Sequence, residues 1–328
     1  MHPVPLTLAI SHYDHVRDLT TGRVSMEGAT LRCLELPVEE IFFRTRHFTE
    51  WDVAEMSLAK FASLVSQDDD SLVGIPVFPS RVFRHSSIYV PDGRLRDLSE
   101  LAGGTVGIPE WAQTASVYTR ALLAEEYGVP LGSVRWLVAG VNSPGRKEKV
   151  RLNLPPGLNV TWVDDRSLDD LLVGGEVDAV LSARPPRSFE AGTGQVRRFF
   201  ADHAEVEFDY ASRTGIVPIM HLVVIRRAVA DAHPWLAANL FDAFEEARRR
   251  SIARLREVTI SRFPLLWPAG EMDRTSAVFG QEYWPYGVAA NWPTLDAFLG
   301  WSHEQGVTHR RLAPEELFPE TVRTRFVI

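Results

Sequence analysis

The stretch TGIVPIMHLVVIRRAV, residues 214–229, is the most apolar run in the chain, and it decides the fold. A short apolar run of this kind is typical of a β-strand that is buried on both faces. A second extended segment, SSIYVPDG at residues 86–93, lies where one α/β unit ends and the next begins. Two extended segments of this kind predict two lobes that are linked by two crossings of the chain.

Strand-like and helix-like patterns alternate on both sides of the first crossing. ATLRCLEL (29–36) alternates apolar and polar residues, and PVEEIFFRTRHF (37–48) has acids in its first turn and bases in its last, as a helix prefers. TVGIP (105–109) and the helix-like WAQTASVYTRALLAEEY (111–127) repeat this order. Strands that alternate with helices indicate an α/β fold with largely parallel sheets.

We therefore predict a bilobal α/β fold with two hinge crossings. Lobe one comprises residues 1–92 and 215–328 and has a helical C-terminal part, and lobe two comprises residues 93–214. A length of 328 residues agrees with two domains. In open α/β sheets, ligands bind at the carboxyl ends of the strands, so we expect a site in the cleft between the lobes.

The composition excludes several classes of function. A net charge of -8 argues against nucleic acid as the main partner. The single cysteine, Cys33, excludes an intrachain disulfide and any multi-cysteine metal site. No apolar run is long enough to predict a membrane span, and MHPVPLTLAI (1–10) lacks the basic and apolar regions of a leader. These features predict a cytoplasmic protein with a small-molecule partner. They do not decide whether the protein forms a homo-oligomer.

The loop after the first predicted strand carries four consecutive hydrogen-bonding side chains. VPLTLAI (4–10) is predicted to be a strand, and His12, Tyr13, Asp14 and His15 follow Ser11 at its carboxyl end. We expect this loop to face the cleft and to contact a ligand. Imidazole and carboxylate groups transfer protons, and they also bind divalent metals. A divalent metal held by the two histidines and the aspartate is therefore the alternative to acid–base chemistry without a metal.

Further candidates follow other strands or lie near the second crossing. The candidate ligand-binding residues outside the first loop are Ser57, Arg81, Arg84, His85, Trp111, Gln113, Thr114, Ser182, Arg184 and Tyr286. The helix predicted to begin near Trp111 offers free backbone N–H groups to a carboxylate, and arginines can form bidentate pairs with carboxylates. His221 interrupts the apolar run, either as a core histidine or as a proton-transfer group between the lobes.

Five strings, in order along nearly the whole chain, carry a family resemblance. They are RVFRHSSIYV (81–90), VGIPEWAQTASVYTRALLAEEYGV (106–129), TGIVPIMHLVVIRRAV (214–229), YWPYGVAANWPTLDAFLGWSHEQGV (283–307) and RRLAPEELFPET (310–321). Together they resemble the 4,5-dihydroxyphthalate decarboxylase family. The resemblance implies a type-2 periplasmic-binding-protein fold and the removal of one ring carboxylate from a dihydroxylated phthalate, which gives protocatechuate.

The implied reaction needs a base at a ring hydroxyl, an acid at the carboxyl-bearing carbon and cations for the carboxylates, and it needs no organic cofactor. From position alone, we assign proton transfer to His12, Asp14, His15 and His221. The groups assigned to hold the carboxylates are Arg84, His85, Thr114 and Arg184. The other candidates, namely Tyr13, Ser57, Arg81, Trp111, Gln113, Ser182 and Tyr286, are expected to contact the substrate.

Three other functions remain open at this point. A solute-binding protein would share the fold and the cleft without any chemistry. An enzyme that resembles the chorismate dehydratases would also bind a carboxylated six-membered ring in such a cleft. A decarboxylase of another hydroxylated aromatic acid is the third. The WPYG and SHEQG strings favour the decarboxylase family, and release of CO2 would separate a decarboxylase from a binding protein.

Overall fold

The structure is a computed structural model that describes residues 2–257, 259, 260 and 262–323. Within these residues, the strands form two separate sheets. In chain order they are β1 (Val4–Ile10), β2 (Ala29–Glu35), β3 (Val53–Ser57), β4 (Leu72–Arg81), β5 (Ile88–Pro91), β6 (Thr105–Ile108), β7 (Arg135–Val138), β8 (Asn159–Trp162), β9 (Ala179–Leu181), β10 (Val196–Arg198) and β11 (Ile219–Arg226).

The helices cover the sheets and make up most of the C-terminal third. They are α1 (Arg17–Thr20), α2 (Val38–Phe48), α3 (Leu58–Val65), α4 (Thr114–Glu125), α5 (Leu168–Val173), α6 (Arg187–Glu190), α7 (His203–Thr214), α8 (Arg227–Ala232), α9 (Leu236–Arg256), α10 (Pro268–Phe279), α11 (Trp292–Glu304) and α12 (Glu320–Arg323). In the described part of the chain, no helix has both the length and the apolar composition that a membrane crossing requires.

The first sheet has the strand order β2-β1-β3-β11-β4. Strand β1 runs parallel to β2 and β3, whereas β11 runs antiparallel to both of its neighbours, β3 and β4. The apolar run at 214–229 contains β11, and residues of both parities are buried along this strand, as expected where both faces of a sheet are covered. The carboxyl ends of β1 and β3 therefore meet the beginning of β11 at one edge of the sheet.

The second sheet has the strand order β10-β5-β9-β6-β7-β8. Strands β6 to β9 run parallel, and β5 pairs antiparallel with β9 and β10. Residues 88–91 therefore belong to this sheet, so the first crossing lies at residues 82–87, ahead of the boundary predicted at residue 92. The apolar character of β5 fits either sheet, and only its backbone pairing decides between them.

The two lobes share one apolar core. A continuous cluster of buried side chains includes Leu8 and Val224 of the first sheet and Val106 of the second. Between the lobes, α4 packs on α11, where the ring of Tyr118 lies 4.9 Å from that of Phe298 and 5.8 Å from that of Trp301. We call the three aromatic residues Tyr118, Phe298 and Trp301 the α4–α11 seam. This seam fixes the C-terminal helices of lobe one against lobe two.

Candidate functional site

A buried carboxylate accepts three hydrogen bonds where β1 and β3 end. Glu55 lies on β3 and is 0% exposed. Its Oε1 accepts hydrogen bonds from the Tyr13 hydroxyl and from Nδ1 of His221, each at 2.6 Å. Its Oε2 accepts a hydrogen bond from the backbone N–H of Ser11 at 2.8 Å. We call Ser11, Tyr13, Glu55 and His221 the Glu55 cluster.

Strand pairing assembles this cluster from distant parts of the sequence. Strand β1 runs parallel to β3, which brings Ser11 and Tyr13 beside the second half of β3. Strand β11 runs antiparallel to β3 and places His221 opposite Ser57. Sequence reasoning selected Tyr13 and His221 but missed Glu55. The sequence did contain a signal for Glu55, namely a single acid inside the otherwise uncharged strand VAEMS. A buried carboxylate requires hydrogen-bond donors around it, so such an acid indicates a polar cluster.

The hydrogen bonds of the cluster define the roles of its donors. Burial, together with the nearby charge of Glu55, raises the pKa of the Tyr13 phenol far above its usual value, so Tyr13 is a neutral donor. Glu55 engages Nδ1 of His221, and the His221 side chain is 16% exposed, which leaves Nε2 for a ligand. The ring of Phe42 on α2 makes an edge contact with the His221 ring at 4.9 Å.

The other predicted proton-transfer residues turn away from one another. His12 is 81% exposed, and its Nδ1 lies 2.8 Å from Glu35 on β2. Asp14 accepts a hydrogen bond from Ser251 of α9 at 2.6 Å. The His15 ring packs against Tyr13 and Trp284, and burial lowers the pKa of His15 to about 4.

This dispersal bears on the alternative metal site. Among the described residues, no three His, Cys, Asp or Glu side chains are grouped closely enough to hold a metal ion. His12, Asp14 and His15 each have separate surroundings because successive residues of a tight turn point in different directions. In this structure the three side chains therefore do not converge on one point, and the use of a metal stays a prediction.

Two predicted substrate-binding residues are part of the scaffold of lobe one. Nη2 of the buried Arg81 donates to the carbonyl of Pro285 at 2.7 Å and to Oδ1 of Asn291 at 2.6 Å. The guanidinium of Arg81 also lies 5.7 Å from the ring of Trp284. Tyr286 is buried beside Arg248. Arg81 and Tyr286 thus hold the C-terminal segment on the sheet and do not face the cleft.

Three further predicted residues lie in or beside the interior. His85 is buried against the rings of Phe200 and Tyr210, and burial lowers the pKa of His85 to about 4. Trp111 is 0% exposed and packs within the core of lobe two. The guanidinium of Arg84 donates to the sulfur of Met220, the residue before His221, at 2.8 and 3.3 Å. Arg84 is thus engaged with Met220 and does not line the cavity between the lobes, and His85 and Trp111 do not face a ligand.

A cavity of about 810 Å³ lies between the lobes at the carboxyl ends of β6, β7 and β9. Of the predicted residues, Gln113, Ser182 and Arg184 line this cavity, and Arg146 lines it as well. Arg184 pairs with Glu39 of lobe one at 2.8 Å. Sequence reasoning missed Arg146 because it lies in an irregular loop and not at a strand end. The cavity therefore presents two arginines to a ligand.

The remaining predicted pair, Ser57 and Thr114, joins the two lobes. Their hydroxyl oxygens lie 3.0 Å apart, and Thr114 Oγ1 also accepts the backbone N–H of Ala59 at 3.1 Å. The start of α4 was predicted to bind a substrate carboxylate. A carboxylate of the chain itself, that of Glu148, accepts the backbone N–H of Trp111 there at 2.7 Å.

A salt-bridge cluster lies beside this contact. Lys60 of α3 and Arg146 lie 2.9 Å and 2.7 Å from the buried carboxylate of Glu110. These two cations lower the pKa of Glu110 against the opposing effect of burial. Because Lys60 belongs to lobe one and Glu110 to lobe two, this ion pair adds to the contacts that hold the lobes together.

No family model matches the chain. Comparison with individual proteins nevertheless places it in a family. It is 35% identical over 320 residues to a 4,5-dihydroxyphthalate decarboxylase of Comamonas testosteroni, and the match covers 97% of both chains. The chain belongs to the 4,5-dihydroxyphthalate decarboxylase family. A second family member, from Pseudomonas putida, is 33% identical over 204 residues, which cover 62% of this chain and 79% of the relative.

Solved structures support the same fold for this member of the decarboxylase family. The periplasmic aliphatic sulphonate binding protein SsuA of Escherichia coli superimposes with a TM-score of 0.54 at 13% identity, over 99% of this chain and 100% of SsuA. The SsuA protein of Xanthomonas axonopodis pv. citri gives a TM-score of 0.51 at 13% identity, over 97% and 99% of the two chains. The predicted bilobal periplasmic-binding-protein fold is confirmed, and identities this low concern the fold alone.

The SHEQG string, residues 302–306, connects the lobes. The side-chain oxygen of Gln305 accepts a hydrogen bond from Nε of Arg120 at 2.8 Å. The backbone carbonyl of Gln305 accepts one from Nε1 of Trp111 at 2.7 Å. The carbonyl of Gly306 accepts the backbone N–H of Asn153 at 2.8 Å. We call Trp111, Arg120, Asn153, Gln305 and Gly306 the Gln305 clasp. Gln305 and Gly306 of this string therefore have a structural role.

Proposed function

We propose that the protein is a carboxy-lyase that converts 4,5-dihydroxyphthalate to protocatechuate between its lobes, without an oxidant. The observation that carries the proposal is the 35% identity to a named 4,5-dihydroxyphthalate decarboxylase across 97% of both chains. The site agrees with this chemistry, because two arginines line the cavity, and Phe42 of α2, the helix that carries the lining residue Glu39, contacts a histidine held by a carboxylate. A dicarboxylated ring needs both kinds of group.

The reaction exchanges a ring carboxylate for a proton. Each carboxylate of 4,5-dihydroxyphthalate is para to a hydroxyl, and electrons from that oxygen can move to the carbon that bears the carboxylate. Protonation of this carbon forms a C–H bond and interrupts the aromatic ring. The C–C bond then breaks, CO2 leaves, and the electron pair restores the ring. One proton is consumed, and the scheme uses no organic cofactor.

We assign proton delivery to Nε2 of His221. Glu55 holds Nδ1, so Nε2 is the ring nitrogen that can donate to a substrate carbon. The cavity wall includes Glu39 of α2, and Phe42, one turn further along that helix, contacts the His221 ring. His221 itself does not line the cavity, so this assignment requires the substrate ring to reach Nε2 past Phe42.

We assign the two substrate carboxylates to Arg146 and Arg184. Both line the cavity, and both are paired with acids of the chain, namely Glu110 and Glu39. The Glu39 side chain is 47% exposed, so a substrate carboxylate can replace it on Arg184 with little loss of solvation. Guanidinium groups bind carboxylates in a bidentate geometry that would also orient the ring.

The proposal is tested by running the reaction in D2O. Incubation with 4,5-dihydroxyphthalate is expected to release CO2 without consuming O2 and to give protocatechuate with one deuterium at the carbon that lost its carboxylate. Product is measured by mass spectrometry and NMR. Binding of the substrate without CO2 release would instead support a solute-binding protein. Turnover of chorismate but not of the phthalate would support the dehydratase alternative.

Replacing Arg184 with alanine is expected to raise KM by about 10- to 100-fold, because a charged hydrogen-bonding pair to one substrate carboxylate is lost. The effect on kcat should be smaller, since the proton donor remains in place. Initial rates over a range of substrate concentrations measure both constants. The matched control is Arg166→Ala, which removes an exposed arginine paired with Glu176 away from the cavity. Equal KM values for the two variants would contradict the assignment of Arg184.

A further inference from the structure

We propose that Glu55 is a positioning residue that acts through His221, orienting the ring and stabilising its protonated form. The inference rests on the proposed function, because it concerns the proton that replaces the substrate carboxylate. Glu55 has no access to the cavity: it is 0% exposed and does not line the cavity. Any influence of Glu55 on the reaction must therefore pass through a neighbouring group.

The geometry holds the carboxylate of Glu55 in one orientation. Its Oε2 is fixed by the backbone N–H of Ser11 at 2.8 Å, and its Oε1 points at Nδ1 of His221 at 2.6 Å. Glu55 and His221 lie on the paired strands β3 and β11 in the middle of the sheet, so neither backbone can move independently. A donor held on rigid strands keeps Nε2 directed at one place, as proton transfer to carbon requires.

Charge gives the second argument. Among the ion pairs of the described residues, Glu55 takes part in one, and its partner is His221. Ser11 and Tyr13 donate hydrogen bonds to Glu55 but are neutral. A carboxylate buried among neutral groups is costly unless a cation lies next to it. Protonation of His221 supplies that cation, so Glu55 favours the form of the ring that can give up a proton.

The other groups near the ring do not take over this task. Tyr13 and His15, from the loop after β1, are neutral, since burial raises the pKa of Tyr13 and lowers that of His15 to about 4. Arg81 of β4 donates to Pro285 and Asn291. Arg84, from the first crossing, donates to the sulfur of Met220. Phe42 of α2 is apolar. Of the groups named here, Glu55 is thus the one that can stabilise a protonated His221.

The test is Glu55→Gln, which keeps the shape of the side chain and removes its charge. We expect kcat to fall by about 10²-fold or more, with KM changed less than three-fold. The alkaline limb of the kcat–pH profile should move to lower pH, because the protonated ring loses its counter-charge. Glu55→Asp, which retains the charge, should restore the position of that limb even if its kcat stays low.

A matched control lies at the opposite end of the same two strands. Asp52 precedes β3, accepts hydrogen bonds from Thr7 and pairs with Arg226 at the end of β11 at 2.6 Å. Asp52→Asn makes the same chemical change at a carboxylate with a structural role. It is expected to lower the thermal stability while leaving the alkaline limb in its wild-type position.

An NMR measurement separates this inference from the proposed function. In the wild-type protein, the Nδ1 proton of His221 should give a strongly downfield signal, and Glu55→Gln should move it upfield. If the wild-type protein released no CO2, the proposed function would fail while this signal still reported the Glu55–His221 contact. An active wild type together with an unshifted alkaline limb in Glu55→Gln would overturn the positioning role. If Glu55→Gln did not fold, an alkaline limb displaced in Glu55→Asp would overturn it as well.

Discussion

Replacing His221 with alanine is expected to lower kcat by about 10³-fold and to leave KM within a few-fold of the wild-type value. The reaction cannot proceed until a proton reaches the ring carbon, and His221 is the group that we assign to deliver it. Substrate binding depends instead on arginines in the cavity wall, so the Michaelis complex should still form. Steady-state kinetics with protocatechuate as the detected product measure both constants.

The control for this variant is His47→Ala. His47 is exposed on α2 and bonds to the backbone of Phe43, outside the cavity. Its removal should leave kcat unchanged. His12→Ala tests the assignment made from the sequence, because the His12 ring lies at the surface beside Glu35. Loss of turnover in His12→Ala, with full turnover in His221→Ala, would contradict the role given to His221.

Replacing Gly306 with alanine is expected to lower the free energy of unfolding by about 3 kcal/mol or more. A Cβ atom at Gly306 would lie 2.3 Å from the backbone oxygen of Asn153, and the residue has a φ of +71°. The added methyl group would clash with a backbone atom that cannot move aside. The alanine would also have to adopt a left-handed backbone conformation, which is strained for any residue with a Cβ atom. Chemical denaturation curves of the wild type and the variant measure the difference.

Gly128 supplies the matched control for the steric part of this effect. Its φ is +63°, and a Cβ atom built there meets nothing within 4 Å. Gly128→Ala should therefore carry only the backbone penalty of about 1–2 kcal/mol. If the two variants lost the same stability, the approach of Asn153 to Gly306 would not matter, and the Gln305 clasp would be weaker than its geometry indicates.

The fold could be predicted from the sequence because its determining signals are local. The run at 214–229 is apolar at residues of both parities, which indicates a strand covered on both faces, and it contains β11. The alternation of strands and helices likewise follows from short patterns. The limit of the first lobe did not follow from them, because the four residues of β5 suit either sheet until their partners are known.

The site was predicted only in part because a position at a strand end does not fix the direction of a side chain. Arg81 ends β4 and Arg184 follows β9, so both lie at strand ends. The side chain of Arg184 nevertheless lines the cavity, whereas that of Arg81 is buried against Asn291. Glu55 was missed for a related reason. Its importance lies in its contacts with residues 13 and 221, and these depend on the order of strands in the sheet.

The α4–α11 seam has a consequence for how this scaffold achieves catalysis. Because Tyr118 is packed against Phe298 and Trp301, swinging the lobes apart would expose aromatic surface to water, and this opposes the wide opening that would let a ligand enter by hinge motion. The two lobes are then already in contact before the substrate arrives. The entropy lost in bringing the two lobes together is lost during folding, so the movements left for each turnover are local ones, at Phe42 and at the Arg184–Glu39 pair.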